Sequence, residues 1–171
     1  MASKDKPIPP TQEQLDELSK ALGAIPSGLF ILTAAHEERR AGMLVSWVQQ
    51  MCFDPPMVSL SLGKGRPIMP LISESRKFGL CQVGESDKLL LRKFAGSQDS
   101  EADPFLGVEL THLPGNNVPL IASAMSFLLC ELACHLDVEG DHDLFVGQIT
   151  QGKLNRKADP KIHTRKSGMR Y

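Results

Sequence analysis

The chain is 171 residues long, 42% apolar and 23% charged, with 19 basic against 20 acidic side chains and a formal charge of -1. That length suits one domain with a core large enough to need no metal or disulfide staples. The near-neutral balance excludes the basic footprint of a nucleic-acid binder or of a protein drawn to anionic membranes.

The start, MASKDKPIPPTQEQ, is polar and proline-rich. It has no apolar signal core, so a cytoplasmic protein is expected, with residues 1–15 as a flexible N-terminal arm and 16–171 as the domain. Thr11 followed by Gln14 has the spacing of a capping box, which predicts a helix over LDELSKALGAI ending near Gly23. Leu29 to Ala34 reads as a strand, HEERR as a polar turn, and GMLVSWVQQMCF as a second apolar strand. Asp54-Pro55-Pro56 stops it, because proline has no N–H to give to a ladder. MVSLSLG alternates with period two and predicts a half-buried strand.

Pro67 to Ser75 predicts a short helix feeding the strand FGLCQV. SDKLLLRKF opens with a Ser/Asp cap and predicts a helix followed by a polar loop. The long segment from Val118 to Leu154 holds two strands joined at DVEGDHD, and its apolar part is too short and too polar to span a bilayer. The basic tail NRKADPKIHTRKSGMRY is expected to be irregular. Strands dominate and helices are few, which argues for a closed antiparallel barrel with helical decorations.

Cys52, Cys81, Cys130 and Cys134 form no C-x-x-C pair and lie among apolar or small residues, so they read as buried reduced thiols and no metal is expected. No G-x-S-x-G elbow supports nucleophilic chemistry. Two segments hold candidate site residues. In SLGKGRP, Gly63 and Gly65 allow close backbone approach, Lys64 and Arg66 bring charge, and a helix start adds its dipole. The segment is either a phosphate cradle or a solvated basic turn. In GDHDLFVG, His142 lies between Asp141 and Asp143, acids that favour the imidazolium if they are near it in space. A structural or surface histidine is the plainer reading.

Four blocks in order, ALGAIPSGLFILTA, GMLVSWVQQMCFDPPMVSLSLGKGR, PLISESRKFGLCQVGESDKLLLRKFAG and the segment from Val118 to Ile149, resemble the flavin reductase-like family, the FMN-binding split barrel. The resemblance covers about residues 20 to 150 and is most specific at G-D-H-x-L-F-V-G. It implies a mainly β (α+β) split β-barrel with peripheral helices, paired as a homodimer. It implies an NAD(P)H-dependent flavin reductase holding FMN (FAD possible), with NAD(P)H as co-substrate and electrons passing to an acceptor or partner oxygenase. An FMN-binding electron carrier without nicotinamide activity is the alternative, and a barrel that has lost its cofactor is a third reading.

By that resemblance Leu44, Val45, Ser46 and Trp47 lie along the ring and ribityl chain, and Gln50 donates to a phosphate. Leu62, Gly63, Lys64, Gly65 and Arg66 form the cradle for the flavin phosphate. Phe94 leans toward the cofactor or the partner subunit, or is a core anchor. His142 is the catalytic candidate, positioning the nicotinamide or stabilising charge on the reduced ring. The chain departs from the family at Trp47, Gln49 and Gln50, where small hydroxyl residues are usual, and at Lys64 and Arg66, where an Asn-Arg-Ser-Ser-like stretch is usual. In the tail, Arg165, Lys166 and Arg170 meet either a nucleotide phosphate or solvent.

Overall fold

The computed structural model describes residues 9–96 and 103–169. Most of the expected arm, the expected polar loop at 97–102, and Arg170 lie outside the described residues.

The described chain divides into two compact units. The first joins residues 9–26 to 163–169. Its helix α1 (Gln12–Gly23) starts inside the span assigned above to the arm, and Thr11 caps it. The Thr11 hydroxyl accepts from the Gln14 N–H at 3.3 Å, and the Gln14 side-chain oxygen accepts from the Thr11 N–H at 2.8 Å. Both halves of the expected capping box are therefore present. The tail lies along this helix: the Gly168 N–H donates to the Ser19 carbonyl at 2.7 Å and the Arg165 N–H to the Gly23 carbonyl at 2.9 Å.

The second unit, residues 27–162, holds the barrel. In chain order its elements are β1 (Ser27–Gly28), β2 (Phe30–His36), β3 (Arg39–Val45), β4 (Val48–Phe53), β5 (Pro56–Gly63), α2 (Ile68–Ser75), β6 (Lys77–Gln82), α3 (Lys88–Phe94), β7 (Leu110–Thr111), β8 (Leu120–Ile121), β9 (Ser126–Asp137) and β10 (His142–Leu154). A last short strand, β11 (Ile162–His163), ends the series. Seven strands form one antiparallel sheet in the order β3-β2-β6-β9-β10-β5-β4.

The two edge strands, β3 and β4, are consecutive in the chain and joined only by Ser46 and Trp47. Two residues span too little distance to cross a flat sheet of seven strands about 4.8 Å apart. The sheet must therefore curl until its edges meet, which makes it a barrel split at Ser46–Trp47. The run expected as one strand, GMLVSWVQQMCF, is thus two strands, because each half takes a different partner. β3 pairs with β2, and β4 pairs with β5. The proline stop is a tight turn, after which Pro56 opens β5 opposite Phe53, the first-residue position a ladder tolerates.

Period-two burial follows the sequence. On β5, Val58, Leu60 and Leu62 point inward while their neighbours are more exposed. β2 and β6 are buried on both faces, so their side chains alternate between two cores. Leu32, Phe78 and Leu80 join Leu60, Leu62, Phe145 and Ile72 of α2 inside the barrel. Ile31 and Cys81 join Phe94, Phe105, Leu120 and Phe127 on the outer side. Burial holds Cys81 and Cys130 as thiols, with pKa values pushed up to about 12. Cys52 and Cys134 are half-buried, and all four are free. Among the described residues no helix is long and apolar enough to cross a membrane.

Candidate functional site

The split in the barrel falls at Ser46 and Trp47, between the two edge strands. Val45, the last residue of β3, is buried in the inner core, while Leu44 is half-buried against the outer one. Ser46 is buried, and its hydroxyl has no hydrogen-bond partner. Trp47 is pinned by its backbone, its carbonyl accepting from the Ser61 N–H at 3.0 Å. The indole ring faces the imidazole of His142, with ring centroids 4.7 Å apart and planes tilted by 44°.

His142 reaches this point because it opens β10, directly opposite Gly63 at the end of β5. A Cβ on Gly63 would lie 3.7 Å from His142 Nε2 and 3.8 Å from Arg66 Nε, so both nitrogens border the gap that glycine leaves. Gly65 adopts a φ of 79°, the left-handed conformation that favours glycine, and this turns the chain from β5 toward α2. Trp47, Gly63, Arg66 and His142 are therefore brought together from three separate stretches of sequence.

The acids around His142 divide. Asp141 Oδ1 is 2.8 Å from His142 Nδ1, and the imidazole holds the Asp141 carboxyl below the usual carboxylate range. Asp143, expected beside His142, points the other way, because adjacent residues on a strand face opposite sides. It is buried, and Asp143 Oδ2 lies 2.9 Å from Nε2 of His135, whose ring stacks on Phe145 at 4.2 Å. Asp143 Oδ1 has no hydrogen bond, and its nearest cation is Lys64 Nζ at 3.6 Å.

Lys64 is engaged at both ends. Its N–H donates to the Asp141 carbonyl at 3.0 Å, and its ammonium donates to Asp137 Oδ1 at 2.7 Å. The Asp137 hydrogen bond raises the Lys64 pKa and lowers that of Asp137 in turn. Pro67 and Pro70 have no N–H, and the Met69 N–H donates to the Arg66 carbonyl at 3.0 Å.

The remaining candidates have contacts of their own. Leu62 belongs to the inner core. Gln50 is exposed on β4, where its amide donates to the Cys52 carbonyl at 3.4 Å. Phe94 is buried in the outer core against Phe105, with ring centroids 5.7 Å apart, in the core-anchor setting. The Arg165 guanidinium donates to the Leu22 carbonyl at 3.5 Å. Among the described residues no group of acids, histidines and cysteines could hold a metal ion. Sequence reasoning passed over His135 and Asp137. The period-two alternation of β10 was the available signal, since it sends 142 and 143 to opposite faces.

An antiparallel barrel split at Ser46–Trp47, with the Trp47 ring against His142 and both His142 and Arg66 beside Gly63, defines the class of protein. Residues 22–170 match the flavin reductase like domain, and the chain belongs to that family. Diflavin flavoprotein A 1 of Synechocystis sp. is 33% identical over 157 residues, covering 91% of this chain but 27% of that relative. The chain thus spans about a quarter of the length of the curated relatives it matches. The styrene monooxygenase flavin reductase (SMOB) of Pseudomonas putida S12 superposes with a TM-score of 0.73 at 26% identity, over 86% of this chain and 91% of that one. The NADH:FAD oxidoreductase SgcE6 of Streptomyces globisporus C-1027 superposes with a TM-score of 0.78 at 22% identity, over 97% and 95% of the two chains.

Proposed function

We propose that the crevice at the barrel split binds FMN and that the chain works as an NAD(P)H-dependent flavin reductase. The observation that carries this reading is the meeting of Trp47, His142, Gly63 and Arg66 beside a buried hydroxyl, Ser46 Oγ, that has no protein partner. An unpartnered buried hydroxyl costs about 1–3 kcal/mol, which a polar ring edge laid at the split would relieve. The residues fit such a ligand: an aromatic wall, a hydroxyl for the edge, a glycine gap and a cation for an anionic tail.

When bound, the flavin supplies the ring atom that accepts hydride from a reduced nicotinamide. The chain's own residues bind and orient. Trp47 gives a flat apolar surface, and Ser46 Oγ and the backbone at the split meet the polar edge. His142, with Nδ1 held by Asp141, presents Nε2 toward the crevice, where it can steady negative charge or a nicotinamide amide. SgcE6 has been described in complex with NAD and FAD fragments, which supports a shared flavin and nicotinamide crevice in this fold. A homodimer would complete the open side of the crevice.

A second reading follows from the diflavin relatives, of which the matching part is only 27% of the length of one. There the domain would hold its flavin tightly and pass electrons to another centre, with no nicotinamide turnover of its own. Anaerobic titration of the FMN-loaded protein with NADH and NADPH separates the two. Bleaching of the flavin band within seconds supports the reductase. A band that bleaches only with dithionite supports the carrier, and a chain that takes up no flavin sinks both.

A further inference from the structure

Among the described residues Asp143 is the one charged side chain that is buried, and it is the chain neighbour of His142. Its Oδ2 lies 2.9 Å from His135 Nε2 and its Oδ1 lies 3.6 Å from Lys64 Nζ, with no hydrogen bond to Oδ1. A buried carboxylate is costly, and its ion pairs are weak evidence for stability. The best-attested use of such a group is to fix one register against its alternatives.

Register matters where His142 enters the strand. The β5 ladder holds it opposite Gly63 on one side. On the other side the β9–β10 hairpin is exposed from His135 to Asp141. The β9–β10 register also shifts between Val146 and Gly147, so residues 143–146 are set against β9 apart from the rest of that ladder. Asp141, which meets His142 Nδ1, is itself 94% exposed, and an ion pair in solvent fixes little. The firmer contacts run through Asp143. The His135 ring stacks on its register partner Phe145, a fully buried residue, and reaches Asp143 two residues along β10. From the β5–α2 turn, the Lys64 N–H donates to the Asp141 carbonyl at 3.0 Å, and its ammonium ties Asp137 to Asp143.

We infer that Asp143, held by His135 and Lys64, is a positioning residue that fixes the backbone from which His142 presents its imidazole beside Trp47. Adjacent residues on a strand face opposite sides, so Asp143 points away from His142's side of the sheet and acts through His142 alone. This rests on the flavin and nicotinamide reading above and names what sets the geometry of its catalytic candidate.

Two readouts test it: nicotinamide turnover, and the emission of Trp47, whose ring lies 4.7 Å from the His142 imidazole. A small misplacement of a reacting group lowers a rate by about ten- to a hundred-fold. In FMN-loaded protein, Asp143→Ala is therefore expected to slow anaerobic bleaching by NADH or NADPH by about that factor. Asp143→Asn keeps an oxygen for His135 and should recover most of the rate. In a His142→Gln background, Asp143→Ala should change the rate by less than about two-fold, because the residue it acts through is gone. The second readout needs no flavin. Protonated imidazole quenches indole at contact, so wild-type emission titrated from about pH 5 to 8 should show a step that His142→Gln lacks. Asp143→Ala should shrink that step and Asp143→Asn restore it, with Asp141 and Arg66, the charged groups beside His142, unchanged. His135→Phe keeps a ring on Phe145 and removes the bond to Asp143, so it replaces Asp143→Ala throughout if that variant does not fold. The inference is overturned if wild type lacks the step, if Asp143→Ala leaves it at wild-type size, or if Asp143→Ala slows turnover equally with and without His142. Wild type that takes up FMN but is bleached by neither nicotinamide sinks the reductase reading alone, and the emission step then decides the role of Asp143.

Discussion

The indole of Trp47 stands 4.7 Å from the imidazole of His142, across the one place where the sheet's two edges meet. Trp47 is the only tryptophan, so its emission reports on this crevice alone. A flavin seated against it should quench most of that emission as the site fills, because ring stacking and energy transfer both act at contact. Titration with FMN, excited at the indole band and corrected for absorbance, checks this. Flavin that binds while the indole emission stays constant would place the ligand elsewhere.

Gly63 tests the gap itself. A Cβ there meets His142 Nε2 at 3.7 Å and Arg66 Nε at 3.8 Å, ordinary contact distances. Gly63→Ala should therefore fold, with stability equal or higher by about 0.5–1 kcal/mol, since glycine weakens a strand by that much. The methyl group fills the space between the two nitrogens, and flavin affinity should fall by about ten-fold, or ~1.4 kcal/mol. A thermal midpoint and a flavin titration on the same sample decide it. Lost folding, or an unchanged dissociation constant, counts against the geometry.

Much of the fold was legible because local chemistry and final structure agree. Thr11 and Gln14 announced their helix, and the alternation of MVSLSLG announced β5. The break at Ser46–Trp47 was hidden, because no glycine or proline marks it and apolar residues continue on both sides. It arises from closure of the sheet, a constraint that acts across seven strands. The candidate site was half legible. Gly63, Arg66 and His142 stood out by type and spacing, and the register of β5 with β10 joins them. The Asp143–His135 pair was not, because it depends on how β9 and β10 align across their hairpin.

Phe94 illustrates a signal that points two ways. Its ring is buried against Phe105, and a Cβ on Gly42 would come within 2.8 Å of it. Phe94→Ala should lower stability by about 3–5 kcal/mol through lost burial and a cavity. Gly42→Ala should cost about 1–3 kcal/mol by overpacking the same place. Both are measured by urea unfolding. Flavin affinity of the folded fraction should stay within about two-fold of wild type for each, and a larger loss would return Phe94 to the site.

The Lys64–Asp137 tie sets a pH dependence whose sign follows from its two shifts. The Asp137 carboxyl is held below its ordinary range by the Lys64 hydrogen bond, so its contribution is present above the ordinary carboxylate value. That contribution is lost as pH falls through the lowered folded value. Lys64 is shifted upward, so its share is present below the ordinary lysine value and fades only as pH rises through the raised one. Wild type should thus exceed Asp137→Asn in thermal midpoint by a constant small margin across neutral pH. The margin should close in acid, below the ordinary carboxylate range. Both groups are exposed, so 1 M salt should shrink it as well. A margin that persists in strong acid would mean that Asp137 acts through something other than its charge on Lys64.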